Sequence, residues 1–120
     1  MSQVILFVYG TLKRGLSNHR LLAGQEYLGE AVSEPRYRLI DLGPYPGLIR
    51  DEEHGAAVAG ELWEVSECCL QELDDFEGFA YIREPIALQN DSREITAYYW
   101  VRPVPTGTPS GPTWPLRKPR

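Results

Sequence analysis

Apolar and polar positions along most of this chain recur with the period of a β-strand, and one stretch alone recurs with the period of a helix. Gln3 to Tyr9 is a β-branched and aromatic run ending at Gly10, which predicts a buried strand delivering the chain into a loop. After that loop, Ser17 or Asn18 stands where it can cap a short helix through Leu21 and Leu22, stopped by Gly24. Residues 25–33 and 36–42 read as extended. Gly43-Pro-Tyr-Pro-Gly47 reads as a rigid irregular loop, because its two prolines lack amide donors and bias the preceding residues out of the helical region. Val58 to Val65 alternates as a strand with one buried face does, and Gly60 within it marks a bulge or a close backbone approach.

The helical period begins after Ser66, a natural N-cap. From Glu67 to about Phe76 the apolar residues Cys69, Leu70, Leu73 and Phe76 share one face, and Gly78 supplies the terminator. Tyr81 to Leu88 and Glu94 to Val101 then predict two strands joined through the turn residues Gln89 to Arg93. Strands outnumber helices, so the expected class is α+β. Beyond Val101 the composition changes: six of the ten prolines fall between Pro103 and Pro119, separated by Thr, Gly and Ser. Residues 1–101 are therefore read as the domain and 102–120 as a proline-rich tail, either flexible or laid along the domain by Trp114.

Size and charge narrow the function. A chain of 120 residues forms one core, burying roughly two-thirds of its unfolded surface. Four of the twelve cations lie in residues 102–120, where there is no carboxylate, which leaves eight cations against seventeen carboxylates in residues 1–101. Such a body repels phosphate backbones, so no nucleic-acid partner is expected. The apolar run at Val4–Tyr9 is too short to span a bilayer and no charged segment precedes a cleavable signal, so no membrane partner and a cytoplasmic address are expected. Cys68 and Cys69 are adjacent, which fits neither an ordinary disulfide loop nor a zinc knuckle; they read as reduced, one facing the core and one facing water.

Two segments are candidates for chemistry. Gly10-Thr-Leu-Lys-Arg-Gly15 has the glycine spacing of a phosphate-binding loop, but Leu16 stands where that motif requires lysine. What remains is a tight loop after a strand, whose successive amides can hold a carboxylate or an oxyanion. The other segment is Leu73-Asp-Asp-Phe-Glu-Gly78, with three carboxylates at the negative end of the helix. Asp74 and Asp75 read as solvated. Glu77, between Phe76 and Gly78, reads as able to turn into an apolar pocket, where burial would raise its pKa and make it a general base near neutrality. His19 and His54 fit no metal pattern, and neither Ser66 nor Cys68 has a histidine nearby to form a triad.

Taken together, Val8-Tyr-Gly-Thr-Leu-Lys-Arg-Gly15, Asn18-His19, Pro44-Tyr-Pro46, Gly60-Glu-Leu-Trp63, Leu73-Asp-Asp-Phe-Glu-Gly78 and Tyr81-x-Arg83 resemble, in order and spacing, the γ-glutamylcyclotransferase-like (AIG2-like) family. The Tyr-Gly-Thr-Leu-Lys start is most similar to the γ-glutamylamine cyclotransferase branch, and the likeness spans residues 3–101. It implies a small mixed β-barrel with a few short helices, a site without cofactor or metal, and release of 5-oxoproline from a γ-glutamyl amine or γ-glutamyl amino acid. Glu77 aligns with the family's catalytic glutamate. The amides of Gly10, Thr11 and Leu12 match its substrate loop, and Tyr9 and Tyr81 fit as pocket hydroxyls. Arg83 is expected to pair with Asp75 or, failing that, with substrate, and the Pro44–Pro46 loop to form the pocket wall. The rival expectation is a binding or regulatory module that grips a small carboxylate-containing metabolite on the same loop without turning it over. A third is that the tail recruits an aromatic-groove partner.

Overall fold

A computed structural model describes residues 3–116. The strands are β1 (Gln3–Val8), β2 (Glu26–Val32), β3 (Tyr37–Asp41), β4 (Pro46–Arg50), β5 (Ala59–Ser66), β6 (Tyr81–Pro85), β7 (Ile95–Trp100) and β8 (Ser110–Gly111); the helix α1 spans Glu67–Glu77, with 3-10 turns at His19–Leu22 and Gly78–Ala80. The sheet runs β2-β5-β1-β7-β4-β3-β8, with β6 paired to β7. It is mixed, since β1 and β4 run parallel to β7 and the other pairs are antiparallel. No helix among the described residues is long and apolar enough to cross a membrane.

The α+β class holds, but the expected barrel does not close. The sheet ends at β2 on one side and at β8 on the other. β8 has only two residues, flanked by Pro109 and Pro112, which have no amide to extend a ladder.

β1 is the centre of the molecule. Leu6 and Val8 pack with Trp63, Val65, Cys69, Leu70 and Leu73, which joins one face of the sheet to α1. Phe7 and Tyr9 point the other way, among Tyr37, Leu39, Leu48, Val58 and Tyr99. A strand buried on both faces has no polar side to show, so β1 reads as continuous apolar sequence. α1 begins as expected: the Ser66 hydroxyl accepts from the Cys69 amide at 3.2 Å, and Gly78 ends it at φ +71°. Cys69 is buried and Cys68 exposed, both as free thiols.

Gly60 is a close approach, since a Cβ there would lie 2.5 Å from the Val8 carbonyl oxygen and 2.6 Å from Phe7. The register shift lies in its partner β2, between Tyr27 and Gly29. Two local expectations need correction. The segment read as wholly irregular at 43–47 contains the start of β4, whose first residues Pro46, Gly47 and Leu48 are buried. The turn at His19–Leu22 has no side-chain cap, because the Asn18 amide group reaches back to the Thr11 hydroxyl instead, at 2.9 Å. Of residues 102–116, for which flexible and docked states were both open, the part from Pro109 lies along the domain: the Asp41 amide donates to the Pro109 carbonyl, and Trp114 packs against the core cluster that holds Phe7 and Tyr9.

Candidate active site

β7 changes neighbour along its length, and a cavity opens where it does. Its start lies beside β1, at Ile5↔Ile95 and Leu6↔Thr96, and its end beside β4, at Leu48↔Tyr99. Around the gap between β1 and β4 is a cavity of about 200 Å³. Glu77, Tyr9, Gly10, Thr11, Leu12 and Tyr81 all line it, so every residue singled out from the sequence as a site residue is in one place. Tyr45 and Pro46 form part of the wall, with Phe76 and Tyr98.

The loop from Gly10 is folded by its own backbone. The Lys13 amide donates to the Gly10 carbonyl at 3.0 Å, that of Asn18 to Thr11 at 2.9 Å and that of Leu16 to Lys13 at 3.1 Å. None of these bonds uses the amides of Gly10, Thr11 or Leu12. The Asn18 side chain holds the Thr11 hydroxyl, and the His19 Nδ1 lies 3.0 Å from the Leu12 carbonyl oxygen with its ring 5.2 Å from that of Trp63. Glycine is required at position 10 for space: a Cβ there would sit 2.8 Å from the Pro46 side chain. Loop and wall are thus in contact.

Glu77 is the last residue of α1. Among the described residues its carboxylate has no hydrogen-bond or ion-pair partner. Burial pushes its pKa up to about 7, and the nearby charge of Asp74 adds to the shift. Asp74 is not the free solvated group expected. It accepts from the Arg83 Nε and Nη2 at 3.1 and 3.2 Å and from the Tyr98 hydroxyl at 2.6 Å. These bonds outweigh its partial desolvation and lower its pKa, so Asp74 stays ionised one helical turn from Glu77. Arg83 therefore pairs with Asp74, and the expected pairing with Asp75 is corrected: of the two aspartates, Asp74 is the one on the side of α1 that meets β6 and β7.

The two phenols face the cavity with their protons committed. Tyr9 donates to the Tyr98 carbonyl and Tyr81 to the Pro46 carbonyl, each at 2.7 Å. Burial raises both pKa values, and the Glu77 charge contributes to each, which places that charge close to both rings. What each phenol can offer a ligand is an oxygen lone pair. The cavity is thus lined by loop amides, which can donate, and by Glu77 and the phenol oxygens, which can accept. No Lys, Arg or His is among its lining residues, so its donors to an anion are neutral ones, the loop amides with the Thr11 and Asn18 side chains. Tyr98 was not anticipated. Its signal was the alternation Ile95, Ala97, Tyr99, which sends Tyr98 to the opposite face, toward α1.

Comparison with known proteins gives a consistent picture. The family model for gamma-glutamyl cyclotransferase, AIG2-like, matches residues 6–115. A putative gamma-glutamylcyclotransferase of Vibrio cholerae is 37% identical over 102 residues, covering 82% of each chain. A gamma-glutamylaminecyclotransferase of Rattus norvegicus is 38% identical over 91 residues, 70% of this chain and 61% of the rat protein. The crystal structure of an AIG2-like protein from Mus musculus superposes with a TM-score of 0.84 at 27% identity, covering 95% of this chain and 89% of the mouse chain. With a family match over nearly all of its length and a relative of this similarity, the chain belongs to the gamma-glutamyl cyclotransferase, AIG2-like family and is an enzyme of the cyclotransferase type.

Proposed function

We propose that this protein releases 5-oxoproline from a γ-glutamyl compound, with Glu77 as the general base. The observation that carries the proposal is a carboxylate with a pKa of about 7 lining the same small cavity as the Gly10, Thr11 and Leu12 amides, none of these groups having a hydrogen-bond partner among the described residues. The substrate's α-carboxylate rests on the Gly10, Thr11 and Leu12 amides, and its α-ammonium faces Glu77 and the phenol oxygens of Tyr9 and Tyr81. A free α-amine titrates at about 7.7–8.0, so a carboxylate raised toward neutrality is matched to take its proton. The freed nitrogen attacks the γ-carbonyl carbon, closing a five-membered ring, and the bond from that carbon to the departing nitrogen breaks. Two protons pass in succession from the ring nitrogen through Glu77 to the departing nitrogen, which leaves as an ammonium. No protein nucleophile is needed, because holding the chain folded supplies the proximity.

The test is mass-spectrometric detection of 5-oxoproline after incubation with a panel of γ-glutamyl amines and γ-glutamyl amino acids, beside Glu77→Gln. Product from the wild type alone supports the enzyme. Ligand-induced thermal shifts without product from any compound support the carboxylate-binding module instead.

The pH dependence provides a separate check. The base works when deprotonated, so kcat/KM should rise with pH through a midpoint near 7. Asp74→Asn removes the negative charge that helps hold Glu77 up and releases the Arg83 cation nearby. Its acid limb should move to lower pH; a limb that stays in place would mean that another group sets it.

A further inference from the structure

Behind the substrate loop lies a second cavity, of about 220 Å³, lined by Lys13, Arg14, Glu61 and Trp114 among others. It exists because the C-terminal segment folds back across the sheet. The Asp41 amide donates to the Pro109 carbonyl, β8 pairs with β3, and the Ala59 amide donates to the Pro112 carbonyl, each amide bond at 2.9 Å. At the end of this run the Trp114 carbonyl accepts from the Lys13 Nζ at 2.5 Å. Lys13 is half-buried and follows directly on Leu12. Its backbone also takes part in two bonds of the loop, donating to Gly10 and accepting from Leu16.

We propose that Lys13 is a positioning residue and that residues 109–116 form a strap which, through the Trp114 carbonyl, fixes the loop amides in their binding geometry. The inference rests on the reading of those amides as the carboxylate site. Three features support it. The bond is charge-assisted and partly shielded from water, where such bonds are stronger than at an open surface. The strap has Pro109, Pro112 and Pro115 in eight residues, so it has little backbone freedom to lose when docked. Its docking bonds are made by proline carbonyls, which accept although the residue cannot donate. The segment that composition sets apart from the domain is thereby tied to the loop that holds substrate.

The experiment compares four chains with the wild type: Lys13→Met, Lys13→Arg, a chain ending at Thr108, and that shorter chain carrying Lys13→Met. Because the loop amides bind the carboxylate equally in ground and transition states, Lys13→Met should raise KM roughly tenfold and leave kcat within about twofold. Lys13→Arg, which keeps a cationic donor, should recover most of the loss. Lys13→Met in the shorter chain should add nothing to the effect of shortening on KM, since shortening already removes the Trp114 carbonyl that Lys13 bonds. Hydrogen exchange of the 10–15 loop should quicken in each defective variant while β5 and β7 stay protected.

A merely structural lysine would lower melting temperature and active fraction without moving KM. An unchanged KM together with unchanged loop exchange, or effects of truncation and substitution that multiply, would overturn the strap. If the wild type turns over no γ-glutamyl compound, the proposed function fails instead, and the exchange pattern alone decides whether Lys13 and the strap hold the loop.

Discussion

Glu77→Gln should lower kcat by about 10²- to 10⁴-fold, the range of positioned general bases, and leave substrate affinity within a few-fold. The amide fills the same space and lines the same cavity, but it cannot take a proton from the α-ammonium. The same change should stabilise the protein at neutral pH. In the folded chain the carboxyl titrates at about 7, against 4.5 when unperturbed. Below pH 4.5 it is protonated in both states and folding has no charge to desolvate. As pH rises from 4.5 to 7 the unfolded chain gains the solvated carboxylate and the folded chain resists it, so wild-type stability falls across that window. Above pH 7 the full penalty applies, on the order of 1–3 kcal/mol, and the neutral glutamine does not incur it. Thermal melts of the two proteins should converge near pH 4.5 and separate by pH 8, with the variant higher. A variant less stable than wild type at pH 8 would mean that the carboxylate is not desolvated. A variant that is more stable and inactive shows activity and stability trading off at one side chain, as is common where a site holds a charge against its preference.

Much of this was legible because it is local. α1 announces itself by Ser66, by Cys69, Leu70 and Leu73 at helical spacing, and by Gly78, and each of these acts within a few residues of its neighbours. The β6–β7 pairing, Tyr81↔Trp100 to Pro85↔Thr96, joins neighbours in sequence, but β6 ends at Pro85, short of the expected Leu88, and nine residues rather than the five turn residues connect it to β7. β4 was hidden because proline reads as an interruption. Pro46 stands at the first position of the strand, where a missing donor is tolerated, and Gly47 is required because a Cβ there would meet Trp100 at 2.7 Å. That contact is made by a residue more than fifty positions away, which no local pattern reports.

Within the site, Glu77 and the Gly10–Leu12 loop could be read from their chemistry and from the family likeness. The electrostatic partner of Glu77 could not. Whether Asp74 or Asp75 meets Arg83 depends on how α1 is rotated over β6 and β7, and the Tyr98 hydroxyl settles it in favour of Asp74. Composition also could not choose between a loose tail and a docked one. Proline removes donors but leaves carbonyls, and the segment docks through the carbonyls of Pro109 and Pro112.

Glu61→Ala should cost about 2–4 kcal/mol of stability. Glu61 is 8% exposed, and its Oε1 accepts from the Arg14 amide and from the Trp63 indole N–H, both at 3.1 Å. Its Oε2 meets the Arg14 Nε at 3.4 Å, but that side chain is half exposed, and such a pair contributes little. Truncation to alanine therefore leaves a buried indole donor and a loop amide without their acceptor, and it opens space beside Trp63. The consequences reach the site by two routes. Arg14 follows Lys13 in the Gly10–Gly15 loop, and Trp63 packs on His19, whose ring meets the Leu12 carbonyl. Glu61→Gln is the informative control. Its remaining oxygen can keep both bonds of Oε1, and only the exposed arm to Arg14 is lost, so the expected cost is under about 1 kcal/mol. Urea melts of the two variants should differ accordingly. Equal losses for Ala and Gln would mean that the negative charge itself holds the loop, and a negligible loss for Ala would mean that water replaces the carboxylate at both donors.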